Sequence, residues 1–276
     1  MLDSDHIVKR ILKATYSIQP RRADVYIHAS ELTDPNFCPR KKHLMRKHKR
    51  EEFQTIGSAL QITFDMGKAT QSLINNRWLR SVMWGDWVCR SCRSEIPENF
   101  APTTCPNCPS GSFIYQERKI RAKPYKVTGS VDGFVLYQGE LIPLECKIIT
   151  PNDFKTMKAP KAEHTQRTRL YLELIHKYQK PPEGLKFSET AVVLYVSRAY
   201  GIYSPVPQQV AEDNDTFSPL RQFTVQRNDP LNGKMWELAQ EYADSSPDKP
   251  CRGICDSIND ETAKGCPVKA ECFRGD

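Results

Sequence analysis

Three charged residues sit inside a stretch whose composition predicts buried strand. Lys126 to Thr150 reads as two strands joined at Gln138-Gly139, the first rich in Val, Phe and Tyr, the second in Leu and Ile. Asp132 falls on the first strand. Glu145 and Lys147 fall two apart on the second, so strand alternation puts their side chains on one face. Burying charge is costly unless it is paired or holds a metal. Asp132 and Glu145 are hard oxygen donors suited to Mg²⁺ or Mn²⁺, and the carbonyl of Cys146 is a further candidate ligand. An ion held there lowers the pKa of a bound water, which Lys147 would orient or help deprotonate. The plainer alternative is an exposed Glu and Lys on a half-solvated antiparallel strand. Alternation turns the Cys146 side chain to the opposite face, as a core residue.

The cysteines carry the second signal. There are 10 in the chain, and they are grouped. Cys89, Cys92, Cys105 and Cys108 form C-x2-C, twelve residues, C-x2-C, the spacing of a four-thiolate zinc ribbon. An insert this short has no core of its own, so the metal would supply its folding energy. Four thiolates leave no open position for substrate, which makes the site structural. The other set is Cys38 with Cys251, Cys255, Cys266 and Cys272. Two arrangements compete there: a small zinc site formed by the tail alone, or Cys38 with three tail cysteines around an iron–sulfur cluster.

Composition sets the frame. A chain of 276 residues is long enough for one large domain and a small module. No apolar run approaches the ~20 residues of a membrane span, and the charged start MLDSDHIVKR does not read as a secretory signal. A cytoplasmic protein is expected, in which clustered cysteines hold metal rather than disulfides. The net charge is +7, and the segment Arg40 to Arg50 is dense in Arg, Lys and His. It reads either as a solvated helix face or as a surface that tracks phosphates, with Arg40, Lys41 and Lys42 as contacts.

The elements that must position these groups follow from periodicity. A short amphipathic helix is expected over Asp3–Tyr16, then a basic loop at Gln19-Pro20-Arg21-Arg22. A second helix opens at Phe37-Cys38-Pro39-Arg40, and a long one spans about Phe53 to Met83. Strands are expected at Phe113–Arg121, Ala191–Tyr203 and Leu220–Gln226, with a polar loop over 204–218. Helices are expected at Lys161–Tyr178 and Leu231–Tyr242, and Ser245-Ser246-Pro247-Asp248 breaks before the tail. The pattern is α/β with a mixed central sheet.

Taken together and in order, the fragments resemble the RecB-like branch of the PD-(D/E)xK nucleases. The likeness is especially to the iron–sulfur exonucleases associated with CRISPR systems and their phage-encoded relatives. The matching pieces are Ser30 with Phe37-Cys38-Pro39-Arg40, Gly67-x3-Gln71, Gly129-Ser130-Val131-Asp132-Gly133, Glu145-Cys146-Lys147, Gln166 with Tyr171, and Cys266-Pro267-x4-Cys272. They cover nearly the whole chain apart from the ribbon.

The resemblance implies a restriction-endonuclease-like core, a mixed sheet flanked by helices, with the ribbon inserted and a cysteine-rich end. The expected boundaries are 1–84 for an N-terminal helical part, 85–112 for the ribbon, 113–245 for the core and 246–276 for the iron–sulfur segment. It implies a DNA exonuclease acting on single-stranded or free ends through Mg²⁺ or Mn²⁺ at Asp132, Glu145, Cys146 and Gln71. Lys147, Gln166 and Tyr171 would be catalytic. A 4Fe-4S cluster would sit on Cys38, Cys255, Cys266 and Cys272, with Cys255 preferred to Cys251. Gln71 stands where many relatives have a metal-binding His. Gln166 and Tyr171 are five apart where the family motif has four, so either Gln166 reaches the site from a shifted turn or Arg167 replaces it. Glu117 stands where relatives often carry an acidic residue, and His164 reads as a surface or DNA-contact residue. The alternative function is a protein that binds or recruits nucleic acid on a nuclease-like fold.

Overall fold

The structure is a computed structural model and describes residues 4–20, 25–49, 53–197, 219–227, 231–246 and 249–274. Arg21 and Arg22 of the expected basic loop, Arg50 at the end of the basic run, the loop over 204–218, the end of the strand past 197 and Pro247-Asp248 lie outside the described residues. The chain divides into two compact units. One comprises Met1–Lys68, Ala122–Thr128 and Gly233–Asp276; the other comprises Ala69–Arg121 and Gly129–Asn232.

The second unit is built on a mixed sheet. Its strands are β4 (Met83–Cys89), β5 (Glu95–Phe100), β6 (Phe113–Gln116), β9 (Gly133–Tyr137), β10 (Glu140–Ile149), β11 (Lys186–Phe187), β12 (Thr190–Ser197) and β13 (Leu220–Gln226), in the order β13-β12-β10-β9-β4-β5. Strand β11 pairs with β10, and β6 with β4. β10 runs parallel to β12 and antiparallel to β9. The β9–β10 hairpin turns at Gln138-Gly139, where both residues take positive φ (50° and 81°), the two-residue type I′ geometry that matches strand twist.

Two helices cover the face bearing Glu145 and Lys147. Phe154 of α5 (Pro151–Thr156) packs with Ile149, Val193, Tyr195 and Val225. Helix α6 (Ala162–Tyr178) buries Leu170, Leu172, Leu174 and Ile175; its His164 meets Tyr195 and its His176 meets Phe187. On the other side of the sheet order, Trp84 stacks edge-on against Phe134 and Phe187, which ties β4 to β9 and β11.

The strand expected over Lys126–Tyr137 is in fact two. β8 (Val127–Val131) ends, Asp132 bends, and β9 begins at Gly133. A β-carbon at Gly133 would lie 2.5 Å from the Met83 methyl, so a side chain there would force the Met83 tip of β4 to shift. The strand expected over Phe113–Arg121 is likewise interrupted at Glu117, giving β6 and β7 (Arg118–Ala122).

The first unit holds α1 (Ser4–Thr15), α3 (Pro39–Lys47) and α7 (Leu231–Asp244), together with short helices at Ala29–Leu32, Glu261–Lys264 and Lys269–Phe273. The long helix expected from Phe53 starts later. Phe53–Ile56 is strand β3, paired antiparallel with β1 (Ser17–Pro20), and α4 begins at Ser58. Cys38 caps α3 and Pro39 occupies its first turn. Lys126, in left-handed conformation, reaches the Ala243 carbonyl, while Tyr125 stacks on Trp236.

Candidate metal centre and cysteine clusters

Asp132 stands where the β9–β10 ladder stops. The last pair is Gly133↔Leu144, so the Cys146 N–H beyond it has no partner on β9. The Asp132 carboxylate takes that role, its Oδ2 accepting from Cys146 N at 2.7 Å. This fixes the carboxylate beside Glu145, whose side chain is only 3% exposed. Lys147 pairs with Glu145 Oε1 and lies 4.0 Å from Asp132 Oδ2; it also donates to the Cys146 carbonyl at 3.1 Å. Arg167 on α6 approaches Glu145 Oε1 at 3.9 Å.

Electrostatics mark this group as a site short of positive charge. Burial, then the neighbouring Glu145 carboxylate, pushes Asp132 up to about 8. Glu145 Oε2 is buried without a hydrogen-bond partner. Burial disfavours the Lys147 ammonium, but the Glu145 and Asp132 carboxylates outweigh it and raise Lys147 above the ordinary lysine value. An orphaned buried carboxylate oxygen beside a second crowded carboxylate is the donor set a hard divalent cation satisfies.

The partners expected from helices fall out unevenly. Gln71 is half-buried on α4 and donates to Glu117 Oε1 at 3.0 Å, so its carbonyl is free of that bond. Glu117 lies close enough to raise Asp132 further. On α6, Arg167 and Tyr171 share a face, and the buried Tyr171 hydroxyl is raised by burial and by the Glu145 and Asp132 carboxylates. Gln166 makes no hydrogen bond to Asp132, Glu145 or Lys147. His164 is buried rather than on the surface: Nδ1 meets the Tyr195 hydroxyl at 2.7 Å, and burial with Lys147 and Arg167 nearby lowers it to about 4.

The ribbon cysteines converge. Their four sulfurs lie within 4.8 Å of one another, with Cys89–Cys108 and Cys92–Cys105 each at 3.6 Å. A tetrahedral ion with metal–sulfur bonds of about 2.3 Å sets sulfurs ~3.8 Å apart. Two knuckles shape the site, closed by Cys89 N→Ser94 O at 2.9 Å and Cys105 N→Ser110 O at 3.0 Å. The Cys92 amide lowers Cys89 to about 6. Cys108 has the Ser110 amide to favour its thiolate, yet burial and the adjacent sulfurs push it up to about 12. Crowded thiolates of this kind are what a bound cation relieves. The ribbon strands β4 and β6 belong to the main sheet, so the metal site hangs from the same strand that packs behind Gly133.

In the other unit, Cys38, Cys255, Cys266 and Cys272 line one cavity, with Lys41, Val268 and Lys269. Among the described residues the ribbon quartet is the one group of His, Cys, Asp or Glu whose ligand atoms converge this closely; the four thiols at Cys38, Cys255, Cys266 and Cys272 share the lining of a cavity. Cys251 points elsewhere: it is 2% exposed and its thiol faces the Glu241 carbonyl at 3.8 Å. Arg40 donates to the Cys272 carbonyl at 2.9 Å and Lys42 pairs with Glu31, so Arg40 and Lys42, both expected to meet nucleic acid, are engaged inside their unit.

Two residues carry weight that the sequence reading did not assign. Arg118 is buried, stacks over Trp84, and binds Gln179, Asp86 and Glu98, joining β5, β7 and the end of α6. Its place between Glu117 and an alternating apolar strand was the available signal. Asn75 sits in a π turn no periodicity announces.

No protein-family model matches the chain, and a search of curated proteins finds no match. Among solved structures, an alkaline exonuclease from Laribacter hongkongensis aligns over 85% of this chain and 90% of its own, at 12% identity and a TM-score of 0.40. The crystal structure of SSO0001 aligns over 88% of each chain, at 12% identity and a TM-score of 0.37. Among the described residues no helix is long and apolar enough to cross a membrane.

Proposed function

We propose that the chain is a metal-dependent nuclease of the RecB-like PD-(D/E)xK type, hydrolysing phosphodiester bonds of DNA at single-stranded or free ends. The observation that carries this is the buried pair Asp132 and Glu145, with Glu145 Oε2 unpartnered and Lys147 alongside. Asp132, Glu145 and the Cys146 carbonyl would hold Mg²⁺ or Mn²⁺, with Gln71 contributing its amide oxygen. The ion supplies a water of lowered pKa and neutralises phosphate charge.

The chain's own groups do the rest. Lys147 turns its ammonium between the two carboxylates and the Cys146 carbonyl, where it can orient the attacking water and stabilise developing charge. Arg167, one helical turn before Tyr171, takes the phosphate-contact role that the family motif assigns to Gln; its guanidinium already faces Glu145. Tyr171, held neutral by its surroundings, serves as a donor in the same group. Gln166 is left as a peripheral contact.

The cysteines divide into two sets. The ribbon quartet fits one structural Zn²⁺, and the cavity lined by Cys38, Cys255, Cys266 and Cys272 offers the four thiolates of a 4Fe-4S cluster. Lys41 and Lys269 in that cavity's lining offset the charge of a cluster on four thiolates. The proposed parts are 1–84, the ribbon 85–112, the core 113–245 and the cluster segment 246–276.

The test is degradation of end-labelled single-stranded DNA by anaerobically purified protein with Mg²⁺ or Mn²⁺. Wild type is expected to release nucleotides and Asp132→Ala to release none. Equal inactivity of both across metals and substrates, with retained salt-dependent DNA binding, would instead favour a binding or recruiting protein.

A further inference from the structure

Helix α4 (Ser58–Leu73) does not end in an ordinary turn. It widens into a π turn over Ile74–Trp78, where Leu79 N–H reaches the Ile74 carbonyl, five residues back, at 2.8 Å. Such turns are rare and recur at functional sites. This one carries adjacent asparagines, poor helix formers that compete for backbone hydrogen bonds. Each clips a different segment, one a strand and the other the break between two strands. Asn76 Oδ1 accepts from Tyr115 N on β6 at 2.6 Å. Asn75 Nδ2 donates to the Asp132 carbonyl at 2.7 Å.

We infer that Asn75 is a positioning residue for the metal-binding carboxylate, holding Asp132 by its backbone so that its Oδ2 stays on the Cys146 amide beside Glu145. Asp132 lies in the gap between β8 and β9 and so lacks a place in the β9–β10 ladder. Two contacts replace that ladder: Cys146 N–H on the carboxylate and Asn75 Nδ2 on the carbonyl. Asn75 is 3% exposed, and its Oδ1 is buried with no hydrogen-bond partner. A buried amide that leaves one end unsatisfied is retained against its own cost only where the other end matters. Gln71, one turn earlier on the same face, reaches Glu117, so the end of α4 and its π turn address this group at two points. This rests on the metal-dependent reading above, because the position defended is that of a ligand.

The experiment is a Mn²⁺ binding titration followed by electron paramagnetic resonance, with the full chain as wild type, Asn75→Leu, Asn76→Ala and Asp132→Asn. Leucine keeps the branching of the Asn75 side chain and removes both the donor and the orphaned acceptor. Asn75→Leu is expected to weaken Mn²⁺ about 10- to 100-fold, the usual effect of losing a group that orients a ligand. Its melting temperature in chelator should stay close to wild type. Asn76→Ala loosens the same turn without touching Asp132 and should bind Mn²⁺ nearly as wild type does. Equal Mn²⁺ affinity in wild type and Asn75→Leu, or equal weakening in both asparagine variants, overturns the inference. Equal affinity in wild type and Asp132→Asn overturns the metal-centre reading itself.

Discussion

Replacing Asp132 by Asn should stabilise the metal-free protein while abolishing its chemistry. Asn keeps the shape and an oxygen to accept the Cys146 N–H, but carries no charge. In the native fold the Asp132 carboxyl is pushed up from 3.8 to about 8, first by burial and then by Glu145. A raised carboxyl means the native state holds a proton that the unfolded chain has released. Stability therefore falls as pH rises from about 4 to about 8, and above that the full penalty is present. A rise of that size would set a ceiling of about 5 kcal/mol. Lys147 and relaxation around a 13% exposed side chain reduce this, and about 1–3 kcal/mol is the expected net gain. For a protein of this size each kcal/mol moves the melting temperature by roughly 2–4 °C. Thermal unfolding in EDTA should place Asp132→Asn several degrees above wild type at pH 8 and level with it near pH 4. Added Mn²⁺ should raise wild type and leave the variant where it was. A variant no more stable than wild type at pH 8 in chelator, or a difference that ignores pH, would refute the argument that these carboxylates are crowded for want of a cation.

Three further outcomes follow from the geometry. Arg167→Ala should lower DNA affinity and flatten its dependence on salt by about one unit of slope, while Gln166→Ala stays near wild type; binding titrations across salt concentrations check the contrast. Cys92→Ser should drop bound zinc from one ion per chain to none by elemental analysis and expose the otherwise buried Trp87, read as a shifted tryptophan emission. Anaerobic protein should be brown, with absorbance near ~400 nm from the cluster; Cys255→Ser should lose the colour and Cys251→Ser keep it. The reverse pattern at 255 and 251 would reassign the fourth ligand.

Much of the architecture was legible because its causes are local. Helix α6 begins one residue from its expected start at Lys161 and ends where expected, since Leu170, Leu174 and Ile175 recur at helical spacing before Pro181-Pro182. Strand β13 matches Leu220–Gln226, and α7 starts where expected at Leu231 and runs two residues past Tyr242, to Asp244. The hairpin at Gln138-Gly139 was readable from turn chemistry. The long helix from Phe53 was not, because Phe53–Ile56 is strand only by pairing with Ser17–Pro20, a partner over thirty residues away in sequence. His164 looked like a surface group for the same reason: its partner, Tyr195, is reached through the fold.

The sequence alone determined which chemistry is present. It supplied two carboxylates and a lysine at strand spacing, a C-x2-C pair repeated at ribbon distance, and a second, scattered cysteine set, since types and short spacings are properties of the chain itself. Only the tertiary structure decided how they are used. It broke the strand at Asp132 so that a side chain completes the ladder, turned Arg167 rather than Gln166 toward Glu145, drew Cys255 rather than Cys251 to the cavity, and placed Asn75 behind Asp132. Each of these choices depends on where another part of the chain packs, and helix phase, strand register and burial are set by those distant contacts.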